Sequence, residues 1–157
     1  MEEISIGGIR HDMLVEMLST GFYSNNLTTL RLSSCVSLFD KDRYDFELTS
    51  DNSSLIAKHL PQLKVLSIGN CVVLKDGVHI ILRECKNLWR LSMARCQGVW
   101  LLSKKHERRI EASSKIISVK MEKKLEGTGN VIRLYIDSVE RVFNSSEEVL
   151  DHLFGSI

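Results

Sequence analysis

The phrase "LKVLSIGNC", ending at Cys71, returns as "LWRLSMARC", ending at Cys96. Each copy reads leucine, two residues, an apolar residue, one residue, an apolar residue, two residues, cysteine. An internal repeat constrains a fold more than any single residue does, because every unit must bury the same face against its neighbours. Aligned on their paired apolar positions, the units begin at Ile4, Leu30, Leu66, Leu91 and Ile117, at steps of 26, 36, 25 and 26 residues. The second positions are Ile6, Leu32, Ile68, Met93 and Val119. The end units are degenerate, with Ile9 and Glu122 where the others carry Cys35, Cys71 and Cys96. The long step is one period plus about ten residues, the length of a loop insertion. Residues 39–54 are assigned to that insertion.

The local patterns fit a strand and a helix per unit. "LSI" and "LSM" alternate apolar with small polar residues, as a strand with one buried face should. In "GVHIILREC", Val78, Ile81, Leu82 and Cys85 share one helical face, and "RHDMLVEML" does the same with Met13, Leu14, Met17 and Leu18. Such a unit cannot bury its apolar face alone. Stacked units would give a parallel inner sheet with helices outside. The sequence therefore predicts an α/β solenoid of about five units over residues 1–125, and a C-terminal capping strand and helix over 126–157. "IISVKM" and "VIRLYI", joined by the turn "EGTGN", are expected to pair as strands. "SSEEVLDHLFG" is expected to be a helix, with a capping box from Ser145 and Glu148 and Gly155 as its stop.

One unit runs from Cys71 through Leu74, Asp76, Gly77, the helix "VHIILRE" and Cys85 to Leu88. It resembles the cysteine-containing leucine-rich repeat known from F-box/leucine-rich-repeat proteins. The resemblance is specific over residues 60–99, good over 27–38 and weaker elsewhere. It implies a leucine-rich-repeat solenoid whose work is protein recognition, as the substrate-binding region of a Skp-cullin-F-box ubiquitin ligase in the cytoplasm or nucleus. In that family the F-box docks the Skp adaptor, and the repeats hold the protein to be ubiquitinated. No F-box is visible in this chain, so a Skp partner is expected only if one lies upstream. The alternative is a stand-alone repeat adaptor or scaffold. Transferase chemistry would belong to other subunits in either case.

The repeated cysteine invites sharper readings. A zinc site from Cys71, Cys85, Cys96 and His79 lacks the close cysteine pair that usually chelates the metal. A Cys96–His106 nucleophile pair needs an accessible, electropositive pocket. A sharp turn after each strand needs only a small residue with weak donor and acceptor capacity, which cysteine is. Cys35, Cys71 and Cys96 are thus expected to form a buried structural ladder, with no metal and no cofactor.

The remaining function classes find little support. A formal net charge of +1 over 157 residues makes no demand for nucleic acid. No apolar run approaches the ~20 residues of a membrane span. No zinc-protease helix, nucleophile elbow or phosphate loop is written, and "EGTGN" lacks the lysine of the last, so a non-catalytic protein is expected. The binding residues are expected on the concave strand face: Thr29, Arg31, Ser33, Val65, Ser67, Arg90 and Ser92, with Gly69 and Ala94 among them. Small residues let a partner's backbone approach, and Arg31 and Arg90, on the order of 10 Å apart, would grip acidic groups. A merely solvated strand face is the plain alternative. Two other stretches are candidates. The insertion carries Phe39, Tyr44 and Phe46 as contact aromatics. The basic stretch 104–124 would serve as an anion or nucleic-acid site, if it is not the outer face of a repeat helix. Finally, Ile4, Ile6 and Ile9 make the first unit apolar, so the chain is expected to be marginally stable, to self-associate or to need an upstream module.

Overall fold

The chain builds, in order, β1 (Glu2–Gly7), α1 (His11–Ser19), β2 (Leu27–Ser33), β3 (Glu47–Leu48), α2 (Ser50–His59), β4 (Val65–Gly69), β5 (Val72–Val73), α3 (Lys75–Glu84), β6 (Arg90–Ala94), β7 (Trp100–Ser103), β8 (Arg108–Glu111), β9 (Ser118–Glu126), β10 (Gly129–Ile136), β11 (Val139–Phe143) and α4 (Ser146–Phe154). The structure is a computed structural model that describes residues 2–23, 25–33, 46–94, 96, 100–103, 108–111, 118–126, 129–136 and 139–154.

Alternation decides which way the side chains go. The buried residues are Leu27, Leu30 and Leu32 in β2, Leu66 and Ile68 in β4, and Leu91 and Met93 in β6. The strands pair so that Ile4, Leu30, Leu66, Leu91, Met121 and Leu134 stand side by side. A second row runs Ile6, Leu32, Ile68, Met93, Val119 and Ile136. Both rows face the helix layer. There α1 offers Leu14 and Leu18, α2 Ile56, α3 Val78, Ile81 and Leu82, and α4 Val149, Leu150 and Leu153. Helix α1 packs on α2, α2 on α3, and α3 on α4. The other sheet face bears no helix among the described residues.

The expected solenoid does not form. The main sheet has seven strands in the order β1-β2-β4-β6-β9-β10-β11. The first four are parallel, but β9 runs antiparallel to β6, β10 to β9 and β11 to β10. Among the described residues the molecule is a mixed α/β domain with a mixed sheet and four helices. The departure from the repeat lies at the fifth aligned copy. Ile117 lies outside the described residues, and Leu91 pairs with Met121 rather than with residue 117. Apolar alternation has a period of two in either direction, so "SVKM" reads the same whether its strand runs up or down. A parallel return needs a crossover of a dozen or more residues, usually a helix. After β6 the chain instead forms the antiparallel pair β7–β8. β9 then comes back antiparallel, runs through position 125/126 to Glu126, and pairs with β10 in the one sheet.

Part of the expected insertion is core. Residues 34–45, with Phe39, Tyr44 and Cys35, lie outside the described residues. Phe46 is buried, Leu48 sits in β3 beside Val73 of β5, and Thr49 caps α2 by accepting from the Asn52 N–H at 3.2 Å. Buried Asn52 also donates to the Glu47 carbonyl at 2.7 Å and meets the His11 ring at 2.5 Å, which ties α2 to α1. The polar start of α2, "SDNSS", hid this helix from a search for apolar periodicity. At the other end, Ser145 accepts from the Glu148 N–H at 3.3 Å, while the Glu148 carboxylate accepts from the Asn144 N–H at 3.4 Å. This is a capping box displaced by one residue on its return arm.

Two positions show what the turns and packing require. Gly8 (φ 69°) and Asn70 (φ 54°) occupy the same place after β1 and β4, where the chain turns through the left-handed region. Gly77, in the first turn of α3, lies so close to β3 that a Cβ there would overlap the Leu48 carbonyl. By contrast, a Cβ at Gly69 would meet Ser33 at 3.8 Å, an ordinary contact. Gly77→Ala should therefore lower the unfolding free energy by about 2–4 kcal/mol, and Gly69→Ala by less than about 1 kcal/mol. Urea titration of both variants checks this. Equal effects would contradict the close approach of α3 to β3.

Candidate functional site: the open face of the sheet

The residues that alternate with the apolar rows form two rows of their own on the open face. One runs Glu3, Thr29, Val65, Arg90, Glu122, Arg133 and Val142. The other runs Ser5, Arg31, Ser67, Ser92, Lys120, Tyr135 and Glu140. Ser33, Gly69 and Ala94 continue the face toward the strand ends. All seven residues expected to bind a partner lie here. The sequence did not show the company they keep.

Both arginines are already ion-paired. Arg31 Nε donates to Glu3 at 2.8 Å, in a pair that is about half exposed on each side. Arg90 Nη2 donates to Glu122 at 3.1 Å, and its guanidinium lies 4.4 Å from the centre of the Trp89 ring. Glu122 also meets Lys120 at 3.6 Å, and its side chain is only 12% exposed. The Lys120 ammonium stands 4.8 Å from the Tyr135 ring centre. Arg133, opposite Glu122 in the register, donates to Glu140 at 2.6 Å. Charge thus alternates across β6, β9, β10 and β11. The two expected arginines are also further apart than simple strand counting gave. Arg31 pairs with Ser67 and Arg90 with Val65, so they are two strands and two residues apart. That is roughly 12 Å between α-carbons.

The missed residues are Glu3, Glu122, Arg133, Tyr135 and Glu140, while Lys120 is expected only as part of the basic stretch. A signal existed for one of them. Glu122 among lysines dilutes a basic run, and an acid among bases on a strand is a candidate cross-strand partner. Where it is described, the basic stretch 104–124 is strand and not a helix face. Residues 108–111 and 118–126 are strands, and 104–107, with His106, and 112–117 lie outside the described residues. Lys120 sits on the open face. Lys123 sits on the other, where it donates to the Leu82 carbonyl at 2.9 Å near the C-terminus of α3. Burial there lowers the Lys123 pKa, partly opposed by Cys85.

The thiols occupy the turns. Cys71, Cys85 and Cys96 are buried and reduced. Cys71 Sγ donates to the Gly69 carbonyl at 3.1 Å. Cys96 Sγ has the equivalent Ala94 carbonyl at 3.5 Å, and the Ile68 carbonyl of the neighbouring strand at the same distance. Burial pushes the Cys96 thiol up to about 12, against the opposing hydrogen bond from the Cys71 backbone. Burial likewise raises Cys85, which closes α3, to about 11, with Lys123 pulling the other way. Among the described residues no three His, Cys, Asp or Glu side chains are grouped to hold a metal ion. No family model matches the chain, and no solved structure matches it.

A thiol whose pKa is higher folded than unfolded keeps its proton longer when folded. Its contribution is complete below pH 9.0, the ordinary thiol value, and is lost as pH rises toward about 11 for Cys85 and about 12 for Cys96. Lys123, shifted down, opposes part of this below its ordinary value of 10.5. Stability should therefore fall above pH 9 with a slope of up to about 1.4 kcal/mol per pH unit for each thiol. Denaturant titrations at a series of alkaline pH values check this, and Cys96→Ala should flatten the fall. A slope unchanged by that substitution would mean Cys96 is ionisable in the folded state.

Proposed function

We propose that this chain is a non-catalytic protein-recognition module whose contact surface is the open sheet face, centred on Arg90, Glu122, Lys120 and Tyr135. The observation that carries the proposal is the arrangement around Ser67 and Ser92. Small side chains in the middle of the sheet are flanked by half-buried arginine and lysine groups that rest on Trp89 and Tyr135. A partner's backbone can approach the serines. Arg90 gives Glu122 only a single hydrogen bond in this arrangement, so it has donor capacity beyond that pair. Arginine and aromatic side chains held on a rigid strand lose little entropy on binding, and these residue types dominate the energetics of protein interfaces. Alternating charge suits a polar peptide or protein surface better than a polyanion, which needs one sign.

The repeat sequence adds a context. By its resemblance to F-box/leucine-rich-repeat sequences, we place the module as the substrate-recognition part of a ubiquitin ligase, with a stand-alone adaptor as the alternative. The placement in a ligase rests on the repeat sequence alone; the binding surface rests on the face.

Photo-cross-linking from Ser67 or Ser92 in cells tests both. A photoreactive residue at either position should capture a discrete protein partner, whereas one at Lys58, exposed on α2, should not. Arg90→Ala should weaken that partner by about 1–3 kcal/mol in samples shown by thermal melting to be folded, and should also lower the melting temperature, because it removes a partner of the nearly buried Glu122. If adaptor and cullin subunits co-purify, the ligase placement stands; if the partner comes without them, the adaptor reading replaces it. Capture from Lys58 alone, or Arg90→Ala binding as tightly as the unsubstituted chain, would remove the open face as the contact surface.

A further inference from the structure

Strand β1 is an edge. Among the described residues it pairs with β2 alone, leaving its outer row of backbone groups without a strand partner. Edge strands in soluble proteins are commonly blunted by proline, lysine or a bulge. Here the bulge lies between Glu2 and Glu3, and the regular part that follows, residues 3–7, reads Glu-Ile-Ser-Ile-Gly. The helix layer above this edge is also incomplete. Ile4, Ile6, Met13, Met17 and Tyr23 are only partly buried against the core, and Phe22 is 68% exposed. A shallow depression of about 410 Å³ lies between Met17, Thr20, Phe22 and Tyr23.

The edge demands a strand, and its own sequence supplies a matching one. In an antiparallel pair, directly opposed residues share a face. Take two copies of β1 paired about Ser5. Ile4 then faces the partner's Ile6 on the helix side, Glu3 faces the partner's Gly7 on the open side, and Ser5 faces the partner's Ser5. Apolar meets apolar, and neither acid meets an acid. A slip of one residue would set isoleucine against serine and send the two apolar sets to opposite faces. A slip of two would leave part of the regular segment unpaired. Thus one register uses all five residues. It is its own mirror under a two-fold axis, so it closes at two copies instead of growing into a fibre.

We propose that the β1 edge is the interface of a symmetric dimer, in which a second copy of this chain adds its β1 antiparallel and the two sheets become continuous. The Met13 and Met17 flanks of α1, with Phe22 and Tyr23, lie on the same side of the seam as the isoleucines. Methionine adapts well to such a contact. The open face stays uncovered in both copies, so the dimer holds whether or not that face binds a protein.

The test combines mass with register. Sedimentation equilibrium of the full chain, from micromolar to submillimolar concentration, should show the 17.9 kDa monomer converting to a species of twice that mass. Oxidation should link Ser5→Cys chains into disulfide dimers, because their α-carbons meet at the axis within disulfide range. Glu3→Cys should link far more slowly, since its two copies lie roughly 14 Å apart in this register. The unsubstituted chain, oxidised in parallel, reports any link through its own cysteines. Ser5 is exposed and faces Arg31 of β2, so Ser5→Lys should lower the melting temperature of the dilute monomer only slightly, while weakening the dimer roughly tenfold or more by like-charge repulsion. A monomer at every concentration overturns the proposal. So does a dimer indifferent to Ser5→Lys, or Glu3→Cys cross-linking as fast as Ser5→Cys.

Discussion

Two lateral rows of apolar side chains hold this molecule together. Each crosses six strands, from Ile4 to Leu134 and from Ile6 to Ile136. Because side chains alternate along a strand, a slip of one residue anywhere would move an entire row from the helix layer to solvent. Burial of leucine, isoleucine and methionine contributes on the order of 1.5–3 kcal/mol per side chain. The penalty for a slip is therefore large compared with the marginal stability of a domain. The turns after β1 and β4, the helix faces and the buried thiols all serve this register. Cys96 illustrates the point, since its sulfur bridges from its own turn to the carbonyl of Ile68 in the neighbouring strand.

The same register creates the open face. Whatever sets Leu91 opposite Met121 also sets Arg90 opposite Glu122 and Ser92 opposite Lys120. The charged network is thus a by-product of packing the core, and its partners come from strands far apart in sequence. This gives the proposed contact face two physical properties. Its groups are held by strands and aromatic rings, and its charges nearly cancel, so selectivity would come from local geometry instead of long-range attraction. Exposed pairs such as Arg31–Glu3 add little to stability, which leaves them free to be exchanged for contacts with a partner.

The edge at β1 follows from the sheet being open. A closed barrel has no edges; a sheet of seven strands has two. At the other end β11 carries Glu140 and Arg141, and α4 packs beside it. At β1 the regular segment bears one charge, on Glu3, and two isoleucines that no described element fully covers. The difference between the two ends singles out β1 as the place where a further strand adds most.

Much of this was written in the chain. The spacing of Ile4, Leu30, Leu66 and Leu91, the alternation around them and the helical face of Val78, Ile81 and Leu82 are local patterns, and local backbone geometry converts them directly into strand positions and buried faces. The burial of Cys71 and Cys96 follows from the turn each must make. Three things could not be read this way. The direction of β9 to β11 depended on what filled the chain between β6 and β9, and alternation carries no direction. The helix α2 depended on Thr49 capping Asn52 and on Asn52 finding Glu47 and His11, since seven of its ten residues are polar. The pairing of Arg31 with Glu3 and of Arg90 with Glu122 depended on which strands became neighbours. Sequence by itself determined which residues face inward, because that is a property of a few consecutive residues. Only the tertiary structure decided which outward residues meet, because that requires the whole sheet to be assembled first.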